Sequence, residues 1–199
     1  MRLAVGRAGG QAAVVALLLA VAVRAAAQTS GAPGPWVADV RAATAGAPAD
    51  AAFFPPLSAD TLIPSRGFGV DAGAHVYLFP LGPSRMGVGA SYLHVRGTSD
   101  TVTATVRALA PQVSVNFGTT HGWSYLSGGV GRASVRTEIA TETGTLERDS
   151  GGVTAVNVGG GARWFLTGHL GIGFDVRWHR LSGPARVTIL AAAAGFSVH

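Results

Sequence analysis

The sequence contains no cysteine and no lysine. The absence of cysteine excludes a disulfide framework and any thiol chemistry. The absence of lysine means that all fifteen basic residues are arginines, and they are scattered singly along the chain instead of forming a run. A nucleic-acid partner requires clustered positive charge. The sequence therefore predicts no nucleic-acid partner.

Long apolar runs are scarce. Residues 12–23 form a twelve-residue apolar stretch behind two arginines, and the alanines at 25–27 offer a small-residue cleavage site. This arrangement predicts a secretory signal peptide over residues 1–27, a short lead over 28–35 and one domain over 36–199. The alternative is an uncleaved membrane helix, for which the stretch is short, because the hydrocarbon core of a bilayer is ~30 Å thick.

The remaining chain has the size of one domain but no helix-length apolar segment. Removal of the first 27 of 199 residues leaves 172, with 12 arginines and 10 acidic residues. The longest later apolar candidate, 189–198, has about ten residues, although 48% of the whole sequence is apolar. Only helices and closed barrels satisfy every backbone group in lipid. Strands therefore remain as the way for this chain to span a membrane.

The segment 157–180 shows how apolar and polar residues are arranged in these candidate strands. Its residues alternate with a period of two between a face of large apolar side chains and a face of glycine, asparagine and charge. The apolar face carries Val158, Ala162, Trp164, Leu166, Leu170, Ile172, Phe174, Val176 and Trp178. Such alternation, with the apolar residues outside, is the inverse of a soluble sandwich and is typical of a small barrel in lipid.

Eight segments reach the ~9–11 residues that a tilted membrane strand needs. They are 36–45, 66–79, 85–96, 103–117, 123–137, 154–166, 169–180 and 186–198. Short turns alternate with longer connections, and the longest connections are 46–65 and 138–153. The predicted fold is an all-β, eight-stranded antiparallel up-and-down transmembrane β-barrel, with periplasmic turns and extracellular loops.

The hairpin after residue 154 allows a register prediction. If Trp164 and Leu170 share the outer face, paired residue numbers sum to an even total. A three-residue connection over 166–168 then places Asn157 opposite Arg177 and Gly159 opposite Asp175.

Polar residues on the inner face form the first candidate site. They are Asp71, His75, Gln112, Asn116, Asn157, Arg163, Asp175 and Arg177. A polar conduit or gate is one interpretation. A hydrogen-bonded plug with Arg–Asp pairs is favoured, because the interior of eight strands is just wide enough for side chains to fill. Interior glycines make room for the long arginines.

Aromatic residues near the predicted strand ends form a second candidate set. They are Tyr77, Tyr92, Trp123, Trp164 and Trp178. In a membrane barrel they predict an aromatic girdle, whereas in a soluble barrel they would belong to the core.

By these features the chain resembles the small outer-membrane β-barrel superfamily, the OmpA-like and opacity-type barrels of Gram-negative bacteria. The resemblance rests on the signal peptide, the hairpin VNVGGGARWFLTGHLGIGFDVRW, the strand end PQVSVNFG and the closing GFSVH. It implies an outer-membrane location, insertion by the barrel-assembly machinery and a structural or surface-interaction role with at most a narrow pore. Such barrels usually end on an aromatic residue, whereas this sequence ends on His199.

Ligand and partner predictions are confined to the loops and the lipid. The outer wall is predicted to contact outer-membrane lipid, and the segments 46–65 and 138–153 are candidates for an extracellular ligand, since loops often carry function. The alternative is that both segments are merely solvated. The sequence predicts no cofactor, no metal site and no catalytic site.

Two other functions compete with the main interpretation. A lipid-modifying outer-membrane enzyme needs a nucleophile, a base and an orienting group within reach. The nearest candidates for such a set are His94, Ser99, Asp100, His179 and Ser182. A soluble, lipocalin-like carrier of an apolar ligand needs an apolar lumen, which disagrees with the charges predicted to lie inside.

Overall fold

The computed structural model describes residues 35–48, 50–56, 61–119, 121–167 and 169–199. The predicted signal peptide over 1–27 and all of the lead except Pro35 lie outside these residues. The described elements are nine strands and one 3₁₀ turn, Ala51–Phe53. The strands are β1 (Trp36–Gly46), β2 (Arg66–Leu81), β3 (Ser84–Ser99), β4 (Val102–Thr119), β5 (Gly122–Thr141), β6 (Gly144–Asp149), β7 (Val153–Phe165), β8 (Leu170–Ser182) and β9 (Arg186–Val198).

Eight of the strands close into a ring. Each pairs antiparallel with its neighbour in the order β1, β2, β3, β4, β5, β7, β8 and β9, and β9 pairs with β1. The predicted eight-stranded antiparallel barrel is confirmed. We call the end with the β2–β3, β4–β5 and β7–β8 turns the turn end and the opposite end the loop end. Among the residues that the structure describes, no helix has the length and apolar character of a membrane span.

The predicted loop 138–153 is mostly strand, and this corrects the sequence prediction. β5 continues to Thr141 and turns back as β6, which pairs only with the last six residues of β5. Gly144 makes this turn possible because its φ of 147° is one that residues with a side chain rarely adopt. The first part of β5 pairs with β7 instead. The hairpin therefore projects from the ring at the loop end.

The outer wall is apolar, as the alternation predicts. Phe68 is 69% exposed, Val158 is 55% exposed and Ile172 is 43% exposed. Ala162 has the same outward alternation but is buried, with Phe174 and Ser124 as its cross-strand neighbours. An exposed apolar wall of this kind is suited to hydrocarbon and not to water.

The β7–β8 register differs by two residues from the prediction. Asn157 lies opposite His179, and Gly159 lies opposite Arg177. The sums remain even, so the face assignment holds, but the strands end at Phe165 and Leu170 and the connection is longer than three residues. The prediction was wrong because alternation fixes the parity of a register and not the length of the turn.

The charged residues of the lumen lie in its half nearer the turn end, and this corrects the prediction of an inner face that is polar throughout. Towards the loop end, the inward-facing side chains are aliphatic, among them Val95, Val135 and Leu181. Phe53 and Phe54, at 2% and 1% exposure, pack into this apolar half from the β1–β2 connection. Thr137 donates a hydrogen bond to the carbonyl of Phe53 over 2.7 Å. The predicted loop 46–65 thus contributes two aromatic side chains that plug the lumen. We call Phe53 and Phe54 the aromatic stopper.

Candidate functional site

The polar half of the lumen holds one connected network to which every strand of the ring contributes. All eight residues predicted for the interior cluster are buried there. The network also contains residues that the sequence analysis did not assign to it. These are Asp39, Arg41, Ser91, Tyr125, Ser127 and Ser197.

Asp39 on β1 is bound by residues of three strands. Arg163 donates to it from Nε over 2.8 Å and from Nη2 over 2.6 Å, a bidentate contact across the barrel. Ser197 on β9 donates to the same carboxylate over 2.6 Å. Arg41 forms an ion pair with Asp39 at 2.7 Å and donates to Asp71 over 3.0 Å. Charge-assisted, bidentate contacts of this kind are among the stronger hydrogen bonds in proteins.

A second group of contacts in the network is built around Asp175 on β8. Tyr125 donates its hydroxyl to this carboxylate over 2.7 Å, and Arg177 donates to it from Nη2 over 2.9 Å. The guanidinium carbon of Arg163 lies 3.8 Å from the centre of the Tyr125 ring, a cation–π contact. Asp39 and Asp175 are thereby linked through Arg163 and Tyr125.

Neutral side chains complete the network. Arg177 donates to Asn157 over 2.9 Å, and Gln112 donates to the same oxygen of Asn157 over 2.7 Å. Gln112 also donates to Ser91 and is hydrogen-bonded to His75 at 3.1 Å. Asn116 is fully buried, but its side-chain atoms have no protein partner among the described residues. It is the one predicted member that the structure does not join to the others.

The charges in this network balance. Three carboxylates, Asp39, Asp71 and Asp175, face three guanidinium groups, Arg41, Arg163 and Arg177. The expected Arg–Asp pairing is therefore present, since each of the three carboxylates forms an ion pair with at least one arginine. A charge left unpaired in this setting would be costly.

A repeated tripeptide could have revealed the missed residues. The sequence Asp-Val-Arg occurs at 39–41 and again at 175–177, and in both copies the arginine forms an ion pair with the aspartate two residues before it. The second copy was assigned to the interior from its glycine-rich surroundings. The first lies among alanines, so the faces of β1 could not be distinguished.

Interior glycines provide the space for this network. A Cβ on Gly159 would lie 2.9 Å from the Cβ of Arg177, and a Cβ on Gly173 would lie 3.2 Å from the Cγ of Arg163. Both distances are shorter than ordinary van der Waals contact. The expectation that these glycines make room for arginines agrees with the geometry.

Two of the five predicted girdle residues lie inside the barrel. Tyr77 and Trp123 are each 1% exposed. Tyr77 is hydrogen-bonded to Ser114 at 3.2 Å, and Trp123 packs edge-on against Phe165 at a centroid distance of 4.7 Å. Their position near a strand end suggested a girdle, but alternation places them on the inner face. Tyr77 shares its parity with Asp71 and His75.

The other three predicted girdle residues face outward. Tyr92 is 38% exposed, Trp164 is 42% exposed and Trp178 is partly exposed. Trp164 lies near the turn end of the wall. Tyr92 and Trp178 lie where the outward-facing residues change from apolar to polar, since the next outward positions are His94 and Arg180.

The candidate residues of the alternative enzyme are not brought together. His94 faces outward and Ser99 lies on the opposite face of the same strand, because five residues separate them. His179 is buried in the lumen, whereas Ser182 is exposed. The Nδ1 atom of His94 accepts a hydrogen bond from Arg107 over 3.2 Å.

Comparison with known proteins supports the same fold. The barrel of Ail, the attachment invasion locus protein of Yersinia pestis, is similar with a TM-score of 0.55 and 12% identity, over 83% of this chain and 98% of that chain. Neisserial surface protein A is similar with a TM-score of 0.55 and 15% identity, over 82% of this chain and 96% of that chain. Identities this low show the fold alone. No curated protein sequence matches this chain.

The family described as outer membrane protein beta-barrel domain matches residues 13–198, which is most of the sequence. The closed antiparallel ring and the apolar outer wall agree with this match. The chain therefore belongs to the outer membrane protein β-barrel domain family.

Proposed function

We propose that this outer-membrane barrel is a surface-interaction protein whose lumen is sealed and whose β5–β6 hairpin contacts an extracellular partner. In this proposal residues 1–27 direct export, and the barrel-assembly machinery inserts the chain. Outer-membrane lipid then surrounds the apolar wall. No catalytic activity is required of the barrel.

The observation that carries this proposal is the hairpin that projects beyond the ring. All six residues of β6 are exposed, and β6 pairs with β5 alone. The hairpin has no part in closing the barrel. Since loops and projections held by a rigid scaffold commonly carry binding functions, this surface is the best candidate for a partner.

The charge of the hairpin indicates the kind of partner. Glu138, Glu142, Glu147 and Asp149 lie on the hairpin, against Arg136 and Arg148. Arg136 is already paired with Glu138 at 3.1 Å and with Glu147 at 2.6 Å. The surplus of carboxylates favours a partner with a positively charged surface.

This charge differs from what one similar structure binds. Ail of Yersinia pestis has been solved in complex with the heparin analogue sucrose octasulfate, at 12% identity to this chain and a TM-score of 0.51, over 83% of this chain and 99% of that chain. A polysulfate is strongly anionic, so it does not suit the acidic hairpin. The segment 46–65 is also less available than the sequence suggested, because Phe53 and Phe54 are buried in the lumen.

Binding of a basic and an acidic probe protein tests the proposal. The barrel is placed in lipid nanodiscs, and its binding to cytochrome c and to serum albumin is measured by surface plasmon resonance. Wild type is expected to bind cytochrome c and not albumin, more weakly as salt is raised. The double substitution Glu142→Gln with Glu147→Gln should weaken this binding by about tenfold, since each exposed charge contributes about 0.5–1 kcal/mol.

A matched control removes two carboxylates elsewhere at the loop end. Asp50 and Asp100 are both exposed and lie outside the hairpin. Asp50→Asn with Asp100→Asn changes the net charge equally and should leave binding within about twofold of wild type. Equal losses in both double variants, or no preference for the basic probe, would exclude the hairpin as the binding surface.

A further inference from the structure

The arginines on the outer wall all lie towards the loop end. They are Arg66, Arg96, Arg107, Arg132, Arg136, Arg180 and Arg186, and all are exposed. We call them the arginine belt. Arg85, the arginine described near the turn end, is half-buried and lies opposite Asn116 of the lumen face.

The belt begins where the apolar wall stops. On β3 the outward residues run from Val88 to Tyr92 and then change to His94 and Arg96. Each other strand that carries a belt arginine shows the same change from apolar to polar outward residues towards the loop end. The belt therefore lies at the height where hydrocarbon gives way to lipid headgroups.

One part of the belt forms a pocket on β3, β4 and β5. Its volume is about 340 Å³, and it is lined by His94, Arg96, Arg107 and Arg136 together with neighbouring threonine, serine and acidic side chains. His94 lies directly opposite Arg107 in the β3–β4 register, and Arg96 lies opposite Thr105. On one face of a strand pair, a residue also lies within reach of the long side chain two positions from its direct partner, as Arg107 is from Thr105. Arg96 and Arg107 can therefore contact the same small anion.

The charges of this pocket are not all neutralised. Arg136 is paired with two glutamates of the hairpin. Among the described residues, neither Arg96 nor Arg107 forms an ion pair with a carboxylate. His94 accepts the Arg107 hydrogen bond at Nδ1, so its Nε2 carries the proton and can donate. The membrane side of the pocket thus presents one imidazole N–H and two guanidinium groups that have no carboxylate partner among the described residues.

We propose that Arg96, Arg107 and His94 bind a phosphate group on a phosphorylated glycolipid of the outer leaflet. Guanidinium groups match phosphate oxygens with paired N–H donors. The height of the pocket, next to the last apolar residues of the wall, is that of a lipid headgroup and not of a soluble ligand. The three phosphate-binding residues lie on β3 and β4, whereas the other side of the pocket is lined by Arg136, Glu138 and Asp149 of the hairpin. The site itself needs no extracellular protein partner.

Native mass spectrometry of the full-length barrel in detergent tests the proposal. The probes are bisphosphorylated lipid A, its dephosphorylated form and inorganic phosphate. Wild type is expected to retain the bisphosphorylated lipid and to release the dephosphorylated one. Arg96→Gln with Arg107→Gln should weaken retention by about tenfold or more, because each arginine near an anionic lipid surface strengthens the attraction.

The control is a second pair of belt arginines outside the pocket. Arg180→Gln with Arg186→Gln removes the same charge from β8 and β9 and should change retention by less than about twofold. Equal losses in the two double variants would overturn the site in favour of uniform attraction by the belt. Retention of dephosphorylated lipid, or equally strong binding of inorganic phosphate, would also overturn it. If the first variant fails to fold, Arg96→Gln alone makes the comparison, since the Arg96 side chain forms no hydrogen bond with the described residues.

Discussion

Asp39 on β1 connects three other members of the lumen network, Arg41, Arg163 and Ser197. Its carboxylate accepts two hydrogen bonds from Arg163 and one from Ser197, and it forms an ion pair with Arg41. The side chains of Asp39, Arg41 and Arg163 are at most 3% exposed. If the carboxylate is removed, water cannot therefore take its place beside the guanidinium groups. The contribution of Asp39 to the free energy of folding depends on the buried positive charges that it neutralises.

Asp39→Asn should lower the free energy of unfolding by about 3–5 kcal/mol, because it leaves the buried Arg163 without a counter-charge and leaves Arg41 with Asp71 alone. Urea unfolding of the refolded barrel in lipid vesicles measures the change. Glu138→Gln is the control, since its ion pair with Arg136 is 35–51% exposed and contributes about 0–1 kcal/mol. A loss below about 1 kcal/mol for Asp39→Asn would show that the network does not stabilise the barrel.

Tryptophan fluorescence should distinguish side chains inside the barrel from side chains on its outer wall. Trp123 is 1% exposed, whereas Trp164 is 42% exposed. Variants that keep one tryptophan and replace the other three with phenylalanine are placed in vesicles of brominated phosphatidylcholine. Trp164 fluorescence is expected to be quenched, because the ring contacts the acyl chains, and Trp123 fluorescence is expected to persist. Equal quenching would place Trp123 on the outer wall.

At the scale of single residues, the alternation of apolar and polar residues predicted which face of a strand a side chain lies on. It did not predict which residues that side chain contacts. Asp175, Arg177 and Arg163 could be placed inside because their strands alternate large apolar residues with glycine and charge. Their partners could not be named, since Arg163 reaches Asp39 across the barrel and no local pattern encodes a contact 124 residues apart. Trp123 was misplaced because its strand is too rich in glycine and serine for its faces to differ.

The β5–β6 hairpin is an element that the barrel does not need for closure. Residues 140–145 are exposed, and their strand pairing is with one another. One backbone hydrogen bond, from Ala140 to the carbonyl of Thr101 over 2.9 Å, joins them to the β3–β4 turn. Ile139, which is 7% exposed, and Leu146 form the last pair below them. The junction at Ile139 therefore marks the boundary between the ring and its projection.

Replacement of residues 140–145 by Asn-Gly should leave the barrel folded. The dipeptide forms a tight turn that keeps Ile139 opposite Leu146, so the free energy of unfolding should change by less than about 1 kcal/mol. The shortened protein should still show a heat-shifted band between boiled and unboiled samples on a gel. Loss of this band would mean that the hairpin takes part in forming the ring.

At the scale of elements, the sequence predicted the eight ring strands to within a few residues at most ends. It did not predict β6, because the segment 138–153 is polar on both faces and lacks the alternation that marked the others. It also missed that Phe53 and Phe54 enter the lumen. A pair of aromatic residues beside two prolines does not show, from the sequence alone, which surface of the protein it packs against.

The whole molecule is layered along its axis. An apolar wall near the turn end is followed by the arginine belt and then by an acidic hairpin at the loop end. The lumen is layered differently, with the charge network beneath an apolar half that Phe53 and Phe54 close. The outer surface thus orients the barrel in an asymmetric membrane. The lumen is closed at two levels, by the charge network and by Phe53 and Phe54.

This double closure predicts the absence of a stable open channel. The purified barrel in a planar lipid bilayer should give no sustained conductance steps, because the charge network and the aromatic stopper each fill the cross-section of an eight-stranded ring. Phe53→Ala with Phe54→Ala should also remain closed, since the charge network is untouched. Sustained steps in either protein would show that the lumen opens.

The network has a consequence for the order in which the barrel is made. Ser197 belongs to the last strand and Asp39 to the first, and these two strands form the final seam of the ring. Until that seam closes, Asp39 lacks its hydrogen bond from Ser197, and Arg163 on β7 has no carboxylate of the first strand to face. The ion pairs of Arg41 and Arg177 do not need the seam, because they lie within β1, within β8 or between β1 and β2. The charge of Arg163 is therefore neutralised only when the first and last strands meet.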